Sequence, residues 1–204
     1  LEVPDAISDA DLDRHAFRAD PRCLFAGARG LAAALARWLG RDRRSLPAPN
    51  VLGPLGFAIG SRDPITLAQV ALLRASGGPR WIAAPDGRVP PPRSPGPALV
   101  QATPGTGASG EVVSRRLAEG VLPLLPGLGT LVVTGGETAA ALLTAAGIGH
   151  LQVMGEVLPG LPLCHAPGLP AFPALVTKSG GFGLPDTLLR LWQAARSPEG
   201  LPCP

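Results

Sequence analysis

The chain has 204 residues, 46% of them hydrophobic and 16% charged, enough for one sizeable core or two small ones and too apolar for a disordered chain. Its net charge of +3 is modest, and 4% aromatic content with no tyrosine argues against a stacking platform for single-stranded nucleic acid. Three cysteines, Cys23, Cys164 and Cys203, are widely spaced and form no C-x-x-C, so neither a disulfide framework nor a zinc site is indicated and a reducing, cytoplasmic setting fits best.

In chain order, Ser8-Asp9-Ala10-Asp11 ahead of Leu12 and Phe17 predicts an N-capped helix with acids in its first turn. Arg22 to Ala26 reads as a short strand, and Gly30 to Leu39 as a helix with Leu31, Leu35, Trp38 and Leu39 apolar. Arg41 to Pro54 is rich in arginine and proline and reads as a linker between a block over 1–45 and a second over 46–204. Its run Arg41-Asp42-Arg43-Arg44 is read as a solvated loop in preference to a nucleic-acid patch. The chain opens at Leu1 directly into what reads as the tail of an earlier unit, and a fragment or processed form is expected.

From Leu55 the pattern becomes regular. Leu55 to Ile59 is a predicted strand, Gly60 to Asp63 a turn, and Pro64 to Ala75 a helix with proline in its first turn and Leu67, Val70 and Ala71 on one face. Arg80 to Ala84 follows as a strand. The six prolines between Pro85 and Pro97 rule out a helix or a central strand there. Strands are expected over Ala98–Ala102, Thr130–Thr134, Leu151–Met154 and Ala174–Thr177, and helices over Glu111–Leu125, Glu137–Ala146 and Pro185–Ala195. A proline-rich excursion through Leu163-Cys164-His165 separates the last two strands. Strands alternating with helices of this length predict an α/β fold, layered α/β/α with a mostly parallel central sheet, whose ligands sit at the carboxyl ends of the strands. No apolar run approaches the roughly 20 residues of a membrane span, and neither membrane nor nucleic acid is an expected partner.

Two strand ends break into glycines where a helix should begin. In Leu131-Val132-Val133-Thr134-Gly135-Gly136-Glu137-Thr138 such a turn leaves backbone N–H groups unpaired and favoured by the helix dipole for an anion, the outline of a phosphate cradle. Thr134 and Glu137 also fit a plain capping box, which does not call for two consecutive glycines. In Lys178-Ser179-Gly180-Gly181-Phe182-Gly183 the lysine is a point charge placed to meet a phosphate, or else a snorkelling side chain at a strand end. Gly60-Ser61-Arg62-Asp63-Pro64 offers a hydroxyl, a guanidinium and a carboxylate that bind phosphate, cap the helix through Asp63, or do both. A formal G-x-G-x-x-G at Gly105, Gly107 and Gly110 follows a strand and precedes a helix, but no acidic residue lies at the offset that would hold a ribose, and a flexible loop is preferred. The histidines stand apart from one another and from acid or thiol partners, and no metal site is expected.

Val133 to Thr138, Gly155-Glu156-Val157-Leu158-Pro159-Gly160 and Lys178 to Gly183, in this order and spacing, resemble the nucleotide-binding C-terminal domain of the four-carbon acid sugar kinases. Gly60 to Thr66 with Gln69 resembles that family's first nucleotide loop, and Ala26-Gly27-Ala28-Arg29-Gly30-Leu31-Ala32 resembles the turn that closes its N-terminal domain. The resemblance spans most of the chain and implies ATP-dependent, magnesium-assisted phosphorylation of a tetronate-type sugar acid (threonate, erythronate or 3-oxo-tetronate) at its terminal hydroxyl. By position it implies that Ser61 and its neighbours, Asp63 among them, touch the nucleotide. It implies too that Gly135, Gly136, Glu137 and Thr138 hold phosphates on helix N–H groups and that Gly180 lines the same cleft. Lys178 is added from charge and placement. No catalytic base is identified.

Three departures from the family pattern matter. The substrate-binding N-terminal domain is missing apart from its last turn, so residues 1–45 read as its tail and the chain is expected to be incomplete alone, with a complementing N-terminal domain or a homo-oligomer as its partner. Ala28-Arg29 replaces the usual Ser-Ala. Asp63 stands where many relatives have serine, and its carboxylate repels phosphate unless magnesium intervenes. Two other readings stay open: a non-catalytic nucleotide-binding or regulatory module, favoured by Asp63 and the missing domain, and an NAD(P)-dependent oxidoreductase built on Gly105 to Gly110.

Overall fold

The computed structural model describes residues 2–18, 20, 22–40, 49–91 and 96–197; the Arg41–Arg44 run, most of the expected linker and Cys203 lie outside them. The chain divides into two compact units, Leu1–Leu46 and Pro47–Pro204.

The first unit contains α1 (Asp9–Arg18) and α2 (Arg29–Trp38). The expected cap of α1 is a reciprocal capping box. The Asp11 N–H donates to Ser8 Oγ at 3.3 Å, while Asp11 Oδ2 accepts from the Ser8 N–H at 3.1 Å and the Ser8 hydroxyl at 2.7 Å. Arg37 on α2 pairs with Asp13 on α1, and Leu12 packs where Gly30 leaves no room for a side chain. The strand expected over Arg22–Ala26 does not form. Arg22 instead closes a local turn on the Asp20 carboxylate, with its N–H at 2.8 Å and its guanidinium at 2.7 Å.

The second unit is a seven-stranded sheet in the order β2-β3-β1-β4-β7-β6-β5. Its strands are β1 (Leu55–Ile59), β2 (Arg80–Pro85), β3 (Ala98–Thr103), β4 (Thr130–Thr134), β5 (Gln152–Leu158), β6 (Leu161–His165) and β7 (Ala174–Lys178). The helices are α3 (Pro64–Ala75), α4 (Gly110–Val121), α5 (Gly136–Ala145) and α6 (Thr187–Ala194). β2, β3, β1, β4 and β7 pair in parallel, and β6 is antiparallel to both β5 and β7, so that six strands share one direction. The stretch read as a proline-rich excursion is therefore a strand: a hairpin accommodates Pro162 in β6, and β5 extends to Leu158.

All five residues of β1 and of β4 are buried, as continuous apolar strands covered on both faces must be. One core joins Leu55, Phe57 and Ile59 of β1 and Val176 of β7 to Val70 and Leu73 of α3 and Leu188 and Leu191 of α6. The other joins Ala58, Val100, Leu131, Val133 and Leu175 to Leu117 and Val121 of α4 and Leu142 of α5. The fold is thus α/β/α with α3 and α6 on one face and α4 and α5 on the other. On α3 the buried face is Thr66, Gln69, Val70 and Leu73, not the face carrying Leu67, which is 40% exposed. Among the described residues no helix is long and apolar enough to cross a membrane.

Candidate functional site

The register of the central strands sets the site. Ile59 of β1 pairs with Thr134 of β4, and Thr134 with Lys178 of β7, so all three strands end at one level. Gly60, Gly135 and Ser179 then leave the sheet side by side. β1 leads to α3 on one face while its neighbour β4 leads to α5 on the other, the divergence at whose carboxyl edge doubly wound sheets bind ligands.

The turns are stitched together by backbone. The Gly60 N–H donates to Thr134 O at 3.3 Å and the Gly135 N–H to Lys178 O at 3.0 Å. Thr134 does not cap α5. It is the last residue of β4, and its Oγ1 accepts from the Ser61 N–H at 3.4 Å. The cap position is Gly135, which has a left-handed φ of 92° and supplies no side-chain bond, so the capping box of Thr134 and Glu137 is not made. The first intrahelical bond of α5 is Ala139 N–H to Gly135 O at 3.0 Å, leaving the N–H groups of Gly136, Glu137 and Thr138 without a helical acceptor. A Cβ placed on Gly136 meets nothing within 4 Å, so this residue faces open space. The Thr138 side chain is buried against Gly60, and Glu137 is exposed with Oε2 beside Gly110 at the start of α4.

Ser61 and Asp63 face the 179–183 turn. Ser61 Oγ accepts the Asp63 N–H at 3.2 Å, and Asp63 Oδ1 accepts the Ile65 N–H at 2.9 Å, which makes Asp63 the N-cap of α3. A Cβ on Gly180 would lie 2.6 Å from Ser61 Oγ, and one on Gly181 would lie 3.4 Å from Asp63 Oδ2. Ser61, Asp63, Gly135, Gly136, Glu137, Thr138 and Gly180 are thereby brought to one edge of the sheet.

Lys178 is there too, but beneath the surface. It is 2% exposed, and its Nζ donates to Thr66 Oγ1, Ser179 O and Gly180 O, each at 3.0 Å. All three ammonium donors are used within the chain, so the side chain neither snorkels nor projects into the cleft. Burial pushes its pKa down to about 8, opposed by the Asp63 carboxylate. Thr66 also donates to Gly180 O at 2.6 Å, and Gln69 Nε2 donates to Phe182 O at 3.1 Å and Leu184 O at 2.8 Å. These two buried polar residues clamp the turn from α3. The signal for them in the sequence is polar residues at positions 66 and 69, in helical spacing with Val70 and Leu73 on the buried face.

The G-x-G-x-x-G turn is filled from within. Asp86, with a left-handed φ of 46° and 7% exposed, places Oδ2 at 2.6 Å from the Thr106 N–H and 2.8 Å from its hydroxyl. The Thr106 hydroxyl foremost, then the Thr106, Ala108 and Gly107 amides, hold this carboxyl below the usual range. A Cβ on Gly105 would lie 2.5 Å from Asp86 Cγ. The nest of amides that a pyrophosphate would need already has its anion. Among the described residues no group of three or more His, Cys, Asp or Glu side chains is placed to hold a metal ion.

Comparison with known proteins bears on the fold and the family. Residues 92–188, which take in β3 through the start of α6 and with them the Gly135 and Gly180 turns, match the family defined as the nucleotide-binding C-terminal domain. D-threonate kinase of Cupriavidus necator is 36% identical over 217 residues, covering 93% of this chain and 50% of that protein. The chain carries the nucleotide-binding C-terminal domain of the four-carbon acid sugar kinase family. A 3-oxo-tetronate kinase of the same organism is 35% identical over 155 residues, covering 74% of this chain and 32% of that protein. This member of the family spans about half the length of the curated relatives it matches. A crystal structure from Bordetella bronchiseptica, a domain of unknown function with bound citrate in a domain-swapped dimer, is 31% identical, covers 94% of this chain and 51% of its own, and superposes with a TM-score of 0.59. A Haemophilus influenzae protein at 19% identity and a TM-score of 0.61 shares the fold.

Proposed function

We propose that this chain is the ATP-binding portion of a kinase that phosphorylates a tetronate-type sugar acid at its terminal hydroxyl, and that it is incomplete for turnover by itself. The observation carrying this reading is the open α5 N-terminus, three N–H groups without helical acceptors behind a glycine that faces open space, where the chain leaves neighbouring β1 and β4 for opposite faces of the sheet. Phosphoryl transfer needs positioning and charge stabilisation more than covalent chemistry from the protein. The N–H groups of Gly136, Glu137 and Thr138 hold phosphate oxygens, the Ser61 hydroxyl and the Gly180 backbone line the opposite wall, and Lys178 shapes that wall from below. Magnesium supplies charge neutralisation of the phosphates when bound. Asp63 is suited to share it, because Oδ1 is used by the helix cap while Oδ2 lies toward the Gly181 turn, and magnesium takes one or two carboxylates alongside phosphate oxygens. This also gives the carboxylate a reason to stand beside a phosphate site.

The tail of a substrate domain over 1–45, a complementing domain or second copy as partner, and a cytoplasmic setting belong to the same reading. The domain-swapped dimer of the Bordetella relative supports self-association. To test the activity, the chain is mixed with a separately produced N-terminal half of a family member, ATP, magnesium and D-threonate, D-erythronate or a 3-oxo-tetronate, and ADP release is followed. Substrate-dependent ADP release is expected. Tight ATP binding with no turnover in any combination would favour the non-catalytic module.

A further inference from the structure

The Gly180 carbonyl is gripped from two directions, by Lys178 Nζ at 3.0 Å and the Thr66 hydroxyl at 2.6 Å, while the Cα of the same residue abuts the Ser61 side chain. Lys178 Nζ also holds Ser179 O and Thr66 Oγ1, and the Lys178 carbonyl takes the Gly135 N–H. One buried residue thus ties α3, the 179–183 turn and the entry to α5. We propose that Lys178 is a positioning residue, an internal cation whose three hydrogen bonds set the Ser179–Gly180 turn against Ser61, and that loss of its proton loosens the turn and weakens nucleotide binding. This rests on the nucleotide-binding reading above.

The chemistry is asymmetric between the two protonation states. The ammonium offers three donors to three acceptors. A neutral amine offers two and turns its lone pair toward the third acceptor; Gly180 O keeps the Thr66 hydroxyl and Ser179 O keeps the Phe182 N–H, so what the turn loses is one charge-assisted tie to the strand beneath it. The lowered value of about 8 brings that change within reach of mild alkali. Asp63 at the head of α3 is the charged group acting on it. β4 places Thr134 beside it in register, and the turn presents backbone carbonyls.

The test follows the ATP affinity of the 204-residue chain from about pH 7 to 9.5 with magnesium in excess, together with the Gly180 and Gly181 amide resonances of the unliganded chain. Affinity falls by about tenfold, the equivalent of one lost hydrogen bond from a charged donor, and both resonances move with a midpoint near 8. Lys178→Met binds weakly at every pH with the titration gone. Thr66→Ser keeps the wild-type profile and Thr66→Val lowers affinity throughout. A wild-type profile flat through pH 8, or an unchanged profile in Lys178→Met, overturns the proposal. Should Lys178→Met fail to fold, the wild-type resonances decide alone. A folded chain that binds no ATP at any pH contradicts the nucleotide reading instead, and the resonance titration still tests the turn.

Discussion

Gly60 has no room for a side chain because the Thr138 hydroxyl stands where a Cβ would be, with Thr138 Cβ 2.8 Å from that point. The exit of β1 and the first turn of α5 are therefore in direct contact, and glycine sets how closely they approach. Gly60→Ala is expected to destabilise the chain by about 1–3 kcal/mol in urea unfolding, the usual range for overpacking a tight site. Adding Thr138→Ala removes the atoms in the way and recovers part of the loss. Strict additivity of the two changes would show that the contact is not the cause.

Asp86 gives a prediction about acid. Its carboxyl is held below the ordinary aspartate range, chiefly by the Thr106 hydroxyl. Folded chains therefore release this proton more readily than unfolded ones. The stability it contributes is complete above the unfolded value and is lost as pH falls through the folded one. Asp86→Asn should be less stable than wild type at pH 6, and the gap should narrow as pH falls below about 4. Hydrogen exchange in the variant should speed up over Thr106–Ala108. A constant gap at all pH values would remove the carboxylate from the explanation.

Most of the architecture was legible because parallel strands buried on both faces are written as unbroken apolar runs, as in Leu131 to Thr134 and Ala174 to Thr177. β6 was not, since Pro162 and the short Leu161–His165 run look like a loop until an antiparallel hairpin partner is supplied. The buried face of α3 was misread for a related reason. Thr66 and Gln69 are polar, yet they are buried because the 179–184 turn brings carbonyls to them from more than 110 positions away. The glycine turns were recognisable as a cradle, and register alone explains why they share one edge. What sequence cannot show is direction. Lys178 could be placed at the strand end, but not known to fold back onto the carbonyls beneath the turn, and Asp86 could not be seen to fill the Gly105–Gly110 nest.

Both hydrophobic cores lie within Pro47–Pro204. A chain starting at Pro47 should therefore unfold cooperatively in denaturant and bind ATP with an affinity within about threefold of the parent, less than the tenfold that 1.4 kcal/mol represents. Loss of cooperative unfolding would show that the first unit is needed to complete the second.

Gly136→Ala tests the central claim most directly, because its added methyl meets nothing within 4 Å and alanine is favoured over glycine at the start of a helix. Calorimetric titration with ATP and magnesium, run on wild type and this variant beside their unfolding curves, separates binding from folding. The account predicts that wild type binds, and that the variant is at least as stable but loses most of its ATP affinity, since the methyl occupies the space a phosphate must approach. Full ATP affinity in a stable Gly136→Ala chain would contradict the placement of the nucleotide on the α5 N-terminus.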